Sequence, residues 1–226
     1  MKIEGKTVVI TGGSNGIGLA LGRVLIAQNN RVFSFDIRKP ETEEPGLLHI
    51  PVDVTDSRQI TAGLQALSSP IDILVNNAGI MRRGTMLDSS EEDFDLLCSV
   101  NVKGSWLMIK HAVPRLRKGA TIVQMASRYA LNPRTDPGLY GLMKQAQWNL
   151  AQLAAKTLPQ FRFVYLFPGP VDTALARYEV PEKALKEKEH IMHSPEELTQ
   201  WIVTLLENSK KSKLVYNEKK RTYSVE

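Results

Sequence analysis

Tyr140 and Lys144 stand four residues apart, and Ser127 precedes the tyrosine by 13. A phenol titrates near pH 10 in water and is a poor acid–base group at neutral pH. An ammonium group held beside it favours the phenolate and should draw that pKa down towards the working range. On a helix, positions i and i+4 share one face, so the spacing alone sets the amine against the phenol. A serine hydroxyl close by could donate a hydrogen bond to an oxygen on which charge develops. Taken singly, such a Tyr–Lys pair is equally at home on a solvated helix surface. The elements around it therefore decide what it means.

Short apolar runs recur along the chain: 7–11, 31–36, 47–52, 71–76, 120–127, 161–167 and 213–217. Most are continuous rather than alternating, the pattern of parallel strands covered on both faces. Helical patterns fill the gaps at 16–28, 56–68, 90–117, 138–158 and 195–208. Ser90 with Asp93, and Ser194-Pro195-Glu196-Glu197, read as capped helix starts. This alternation predicts a single α/β domain, a doubly wound, Rossmann-like, mostly parallel seven-stranded sheet flanked by helices. The tail KLVYNEKKRTYSVE predicts a hairpin of Leu214–Asn217 and Thr222–Val225 turning through Glu218–Lys220.

Where the first strand meets the first helix lies TGGSNGIG, Thr11 to Gly18. Gly12, Gly16 and Gly18 let a ligand or a neighbouring strand approach the backbone. The helix behind them directs its free amides and dipole at the turn, which suits a pyrophosphate. The spacing is G-x-x-x-G-x-G, and tight strand–helix packing would also use glycine here. Asp36 ends the second strand, 24 residues after Gly12. A carboxylate there accepts hydrogen bonds from ribose hydroxyls and repels a 2′-phosphate. Gly13, Ser14 and Asn15 are uncharged, while Arg38 and Lys39 follow Asp36 closely. The expectation is NAD, with NADP disfavoured. A strand-end aspartate organising a turn is the structural alternative.

With these motifs in order, the chain resembles the single-domain branch of the short-chain dehydrogenase/reductase family from about Lys6 to Thr173. In that resemblance TGGSNGIG is the nucleotide turn, so Gly12, Ser14, Asn15, Gly16, Ile17 and Gly18 are expected at the cofactor. Asp36 and Ile37 are expected at the adenosine ribose and Asp53-Val54 at the adenine. In NNAG, Asn77, Ala78 and Gly79 border the cofactor. PGPVDT brings Pro168, Gly169, Val171 and Thr173 to the nicotinamide. Asn101, Ser127, Tyr140 and Lys144 fall where the family carries its catalytic tetrad. The resemblance implies that Ser127 donates a hydrogen bond to the substrate oxygen and that Tyr140 exchanges a proton with it. Lys144 lowers the tyrosine pKa and binds the nicotinamide ribose. Asn101, in a locally disturbed helix, holds a relay water. Hydride passes between a nicotinamide and a secondary alcohol or ketone. Val164 stands where members often have asparagine, and the usual late glycine pair is missing. The resemblance also implies a homodimer or homotetramer pairing the helices around 90–117 and 138–158.

The chain has 226 residues, 42% hydrophobic and 23% charged, which suits one globular domain. One cysteine, Cys98, excludes an internal disulfide framework and fits a reducing compartment. No signal peptide or membrane-length apolar run is visible, so a cytoplasmic protein without a membrane partner is expected. Six of the 29 basic residues lie between Lys210 and Arg221, against Glu218 alone. No nucleic-acid motif accompanies them, and no nucleic-acid partner is expected. No Cys/His cluster has metal-ligand spacing, so no metal is expected. Residues 174–193 are short and polar and predict a small substrate lid in which His190 and His193 are solvated. Arg82, Arg83, Arg128 and Arg134 near the pocket mouth raise an acidic or phosphate-bearing substrate. Met81, Met125, Tyr129, Leu131 and Met143 offer apolar lining. Two rivals remain: a silent nucleotide-binding sensor or scaffold of the same fold, and a reaction without net redox change.

Overall fold

A computed structural model describes residues 2–226 of the chain. Its sheet has eight strands in the order β3-β2-β1-β4-β5-β6-β7-β8. These are β1 (Thr7–Thr11), β2 (Arg31–Asp36), β3 (Leu47–Pro51), β4 (Ile71–Asn76), β5 (Leu116–Met125), β6 (Arg162–Phe167), β7 (Lys213–Asn217) and β8 (Thr222–Val225). The first seven run parallel, and β8 returns antiparallel on β7, with Asn217 opposite Thr222. The Rossmann-like sheet and its hairpin are thus as expected, with the return strand counted as an eighth.

Each strand divides its side chains between two cores, as the pleat requires. Val8, Ile10, Leu21, Leu25, Val123 and Ile202 fill one face, covered by α1 (Gly16–Ala27) and α9 (Pro195–Glu207). Val9, Phe35, Ile60, Leu74, Met108 and Phe167 fill the other, beneath α2 (Ser57–Gln65), α4 (Gly104–Ala112) and α6 (Gly138–Thr157). The strand order reverses between β1 and β4, and a doubly wound sheet opens a ligand crevice at the carboxyl ends of the strands there.

Helix starts follow the capping signals with one difference. Ser194 and Glu197 form the reciprocal box at α9, with Pro195 in the first turn. At α3 (Glu91–Leu97), Ser90 accepts the Asp93 amide at 3.1 Å, but the Asp93 carboxylate turns instead to Arg82 Nε at 3.0 Å. The long helix expected over 90–117 is broken. After α3 the chain makes a π-helical turn over Cys98–Lys103, continues as α4, and closes in a 3₁₀ turn over Val113–Arg115. Pro114, which has no N–H to offer a continuing helix, lies in that turn. Strand β5 consequently begins at Leu116, before the apolar run, and its pairing with β4 shifts register between Ile71 and Ile73. Three short helices complete the chain: α5 (Arg128–Leu131), α7 (Ala174–Arg177) and α8 (Glu182–Glu189). Among the described residues no helix is long and apolar enough to cross a membrane.

Candidate active site

The carboxyl ends of β1 to β4 border a cleft of about 670 Å³ that leads to a smaller cavity of about 170 Å³ beside α5 and α6. Asn77, Gly79, Met81 and Thr173 line both. The larger cleft has Gly12, Asn15, Gly16, Ile17, Asp36, Ile37, Asp53, Val54 and Ala78 in its wall. The smaller has Ser127, Tyr140, Lys144, Pro168, Gly169 and Val171.

Ser14 and Gly18, expected among the cofactor residues, line neither space. Ser14 is buried, with its hydroxyl 2.9 Å from that of Ser34. Its amide donates to Asp36 Oδ2 at 3.1 Å, and the Arg38 amide donates to Oδ1 at 3.1 Å, so the carboxylate is anchored at the cleft edge. Gly18 serves packing, because a Cβ there would clash with the Gly12 carbonyl oxygen and lie 2.7 Å from Asn77 Nδ2. The Asn77 amide in turn donates to Thr11 O and Gly12 O, both at 3.0 Å. Thr11 closes the arrangement, its hydroxyl oxygen accepting from the amides of Asn77 and Ala78 at 3.0 Å. The sequence motif includes this strand-end threonine, but nothing in the spacing shows that it ties the two loops together.

A dinucleotide fits what is present. Gly12 has φ +64°, and a side chain on it would press on Ala78 Cα at 3.0 Å. Gly16 has φ +51°, and a Cβ there would meet Thr173 at 3.2 Å. The backbone therefore stays bare where the first-turn amides of α1 face the cleft, as pyrophosphate binding needs. The Asp36 carboxylate stands at the far end of the same groove.

At the inner end, Ser127 caps α5 by accepting the Tyr129 amide at 3.2 Å, and it lines the same cavity as Tyr140. Lys144, one turn further along α6, donates to the Met125 carbonyl at 3.1 Å, and its Nζ is 5.5 Å from the centre of the Tyr140 ring. Asn101 lies in the π-helical turn, a feature common at functional sites. It is fully buried, its Oδ1 accepting from Ile80 N at 2.9 Å and its Nδ2 donating to Ile80 O at 3.0 Å. A Cβ on Gly79 would lie 2.8 Å from Asn101 Oδ1 and 3.4 Å from Lys144 Nζ, so only a glycine lets both groups close on the backbone here. Behind the turn, Ser105 donates to Asn101 O at 3.0 Å and accepts from Gln147 Nε2 at 2.8 Å.

The charge states differ from the expectation drawn from the pair alone. Burial pushes the Tyr140 phenol well above its ordinary range; Tyr129 adds to the effect and the Ser127 hydroxyl opposes it. Burial also lowers the Lys144 amine to about 7. Burial outweighs any help that the amine gives the phenol, because exclusion of water disfavours charge on both groups.

The arginines around the mouth are already partnered. Arg82 bonds Asp93, Arg83 donates to Tyr178 O at 3.0 Å, and Arg128 and Arg134 both meet Glu218. His190 is exposed as expected, but His193 is not a free lid residue. Its amide donates to Pro170 O at 3.0 Å, its carbonyl accepts from Asp172 N at 2.8 Å, and its ring packs on Tyr216 and Tyr223. Of the apolar candidates, Met81, Met125 and Tyr129 line the smaller cavity, whereas Leu131 and Met143 do not. No cluster of metal-ligating side chains occurs among the described residues.

Residues 6–184 match the family model for short chain dehydrogenase. The chain belongs to this family of oxidoreductases, which use a nicotinamide cofactor and act on small molecules. It is 36% identical over 192 residues to the oxidoreductase UcpA of Salmonella typhimurium, covering 77% of this chain and 73% of that one. Two solved structures share the fold at 24% identity, each with a TM-score of 0.81. One is a short chain dehydrogenase from Burkholderia cenocepacia in complex with NADP (92% of this chain and 87% of that one). The other is the 3-ketoacyl-(acyl-carrier-protein) reductase of Brucella melitensis complexed with NADH (90% and 91%).

Proposed function

We propose that the protein is an NAD-dependent dehydrogenase/reductase that interconverts a secondary alcohol and its ketone. The observation that carries this is the meeting of Ser127, Tyr140 and Lys144 at the inner end of a groove shaped for a dinucleotide. The cofactor, when bound, supplies or accepts the hydride. Ser127 and Tyr140 direct their hydroxyls at one substrate oxygen, Ser127 steadying its developing charge and Tyr140 exchanging its proton. A buried neutral phenol is the charge state that donates a proton during ketone reduction. In the alcohol-oxidising direction Tyr140 must lose that proton, and positive charge on Lys144 favours the loss. Asn101 and Lys144 converge on Gly79, and a water held near them carries protons outward. Asp36 at the ribose end selects NAD over NADP by repelling a 2′-phosphate. The segment 174–193 acts as the substrate lid.

The presence of Ser127, Tyr140 and Lys144 around one cavity supports turnover over a silent sensor or scaffold. Net redox chemistry is tested by following the reduced-nicotinamide absorbance across a panel of secondary alcohols with NAD. Tyr140→Phe should lower kcat by about 10²–10⁴-fold with NAD affinity nearly unchanged; undiminished turnover would defeat the assignment. We also expect a cytoplasmic homodimer or homotetramer. Trp106, Leu142 and Leu153 are 44%, 50% and 63% exposed on α4 and α6, and pairing these helices would cover them. Sedimentation at the mass of one chain would exclude this assembly.

A further inference from the structure

The rim of the smaller cavity carries a charge arrangement that the tetrad does not require. Arg128 directly follows Ser127 and lines the cavity. Its Nη2 reaches the Tyr129 hydroxyl at 3.4 Å, and its guanidinium carbon lies 5.1 Å from the centre of that ring. The Tyr129 ring meets Tyr140 edge-on at 6.3 Å. The partner of Arg128 comes from the far end of the sheet. Glu218, in the β7–β8 turn, accepts from Arg128 Nη1 at 2.6 Å and from Arg134 Nη2 at 3.3 Å.

The Arg128 side chain is largely shielded at 20% exposed, whereas Glu218 stands at the exposed rim at 38%. The hairpin that carries Glu218 is seated by Tyr216, whose ring lies so near Gly169 that a Cβ there would come within 2.5 Å of it. Tyr223 packs beside it at 5.3 Å. Glu218 also lies beyond the stretch that the family model matches, which ends at residue 184. The cavity otherwise presents an apolar wall including Met81, Met125, Leu175 and Met192. The other cations facing it are Lys144 and Arg83, the latter 3.8 Å from Asp136.

We propose that Glu218 is a specificity-determining residue acting through Arg128: by occupying the donors of that guanidinium it fits the mouth to uncharged alcohols and ketones and turns away those bearing a carboxylate or phosphate. The inference rests on the oxidoreductase function above and narrows its substrate class. A free guanidinium beside an apolar pocket binds a carboxylate strongly and with two-point geometry. With Glu218 seated on it, an anionic substrate must displace that carboxylate or lie against its charge.

The test uses matched pairs, each a secondary hydroxy acid and its methyl ester, oxidised with NAD by the intact protein. The wild type should favour the ester. Glu218→Gln should raise kcat/KM for the acid relative to the ester by about tenfold, chiefly through KM. The double variant Arg128→Met/Glu218→Gln should return the ratio towards the wild-type value. A ratio unmoved in Glu218→Gln, with both partners turned over, overturns the inference; so does a ratio that moves equally in the double variant. A wild type that oxidises neither partner of any pair, with no reduced nicotinamide formed, defeats the oxidoreductase function itself and this inference with it.

Discussion

Replacing Lys144 by methionine should make the protein more stable while removing its activity. The amine is 2% exposed, and burial has brought it from its ordinary 10.5 to about 7. This is the reverse of a lysine that gains a partner, since the folded state binds its proton more weakly than the unfolded chain. Between pH 7 and 10.5 the unfolded state therefore holds more protons, and stability rises with pH. Below pH 7 the cost of the buried charge is present in full. Converting the shift at 1.36 kcal/mol per unit, the lysine costs the fold about 4 kcal/mol at pH 7 and about 2 kcal/mol at pH 9. Methionine keeps the length of the side chain and removes the proton, but loses the bond to the Met125 carbonyl, which offsets about 1 kcal/mol. The net gain is about 3 kcal/mol at pH 7 and about 1 kcal/mol at pH 9. For a chain of this size that raises Tm by roughly 6–12 °C at pH 7. Urea unfolding of both proteins without nucleotide, followed by circular dichroism at the two pH values, measures the gap. A gap that does not change between pH 7 and 9, or a variant less stable at pH 7, would refute the assigned charge state.

Two further substitutions probe the nucleotide end. Asp36→Ser should shift the ratio of NADP to NAD affinity towards NADP by about 10–100-fold, through removal of a repelling charge; titrations of both nucleotides giving the wild-type ratio would show that another group discriminates. Gly18→Ala forces a Cβ against the Gly12 carbonyl and Asn77, so it should cost about 1–3 kcal/mol of stability and weaken NAD binding. A variant with unchanged Tm and NAD affinity would show that the turn yields without strain.

The parallel strands were legible because most are continuous apolar runs, and 31–36, 71–76 and 213–217 occupy the expected positions. The start of β5 was not. Leu116-Arg-Lys-Gly has no apolar run, and its extension comes from pairing with Ile71 rather than from its own side chains. The shared face of Tyr140 and Lys144 could be read from spacing, but their charge states could not, since burial is a property of the packed fold. The packing roles of Ser14 and Gly18 were not legible for a related reason. The motif places them in the turn, but only the close approach of Gly12 and Asn77 shows that Gly18 faces inward. The partners of Arg83, Arg128 and Arg134 could not be read because they are remote in sequence, with Glu218 lying 90 residues from Arg128.

The Val171–His193 bridge has a consequence for how this chain can be altered. The excursion from 172 to 192 leaves and rejoins the frame at one place, with both ends fastened by the backbone bonds between Pro170, Asp172 and His193. Thr173, Ala174, Leu175 and Tyr178 line the nucleotide groove, so only the stretch from Glu179 to Met192 can be exchanged without altering that wall. That stretch is a cassette on a fixed socket, where a new preference can be grafted without rebuilding the chemistry beneath.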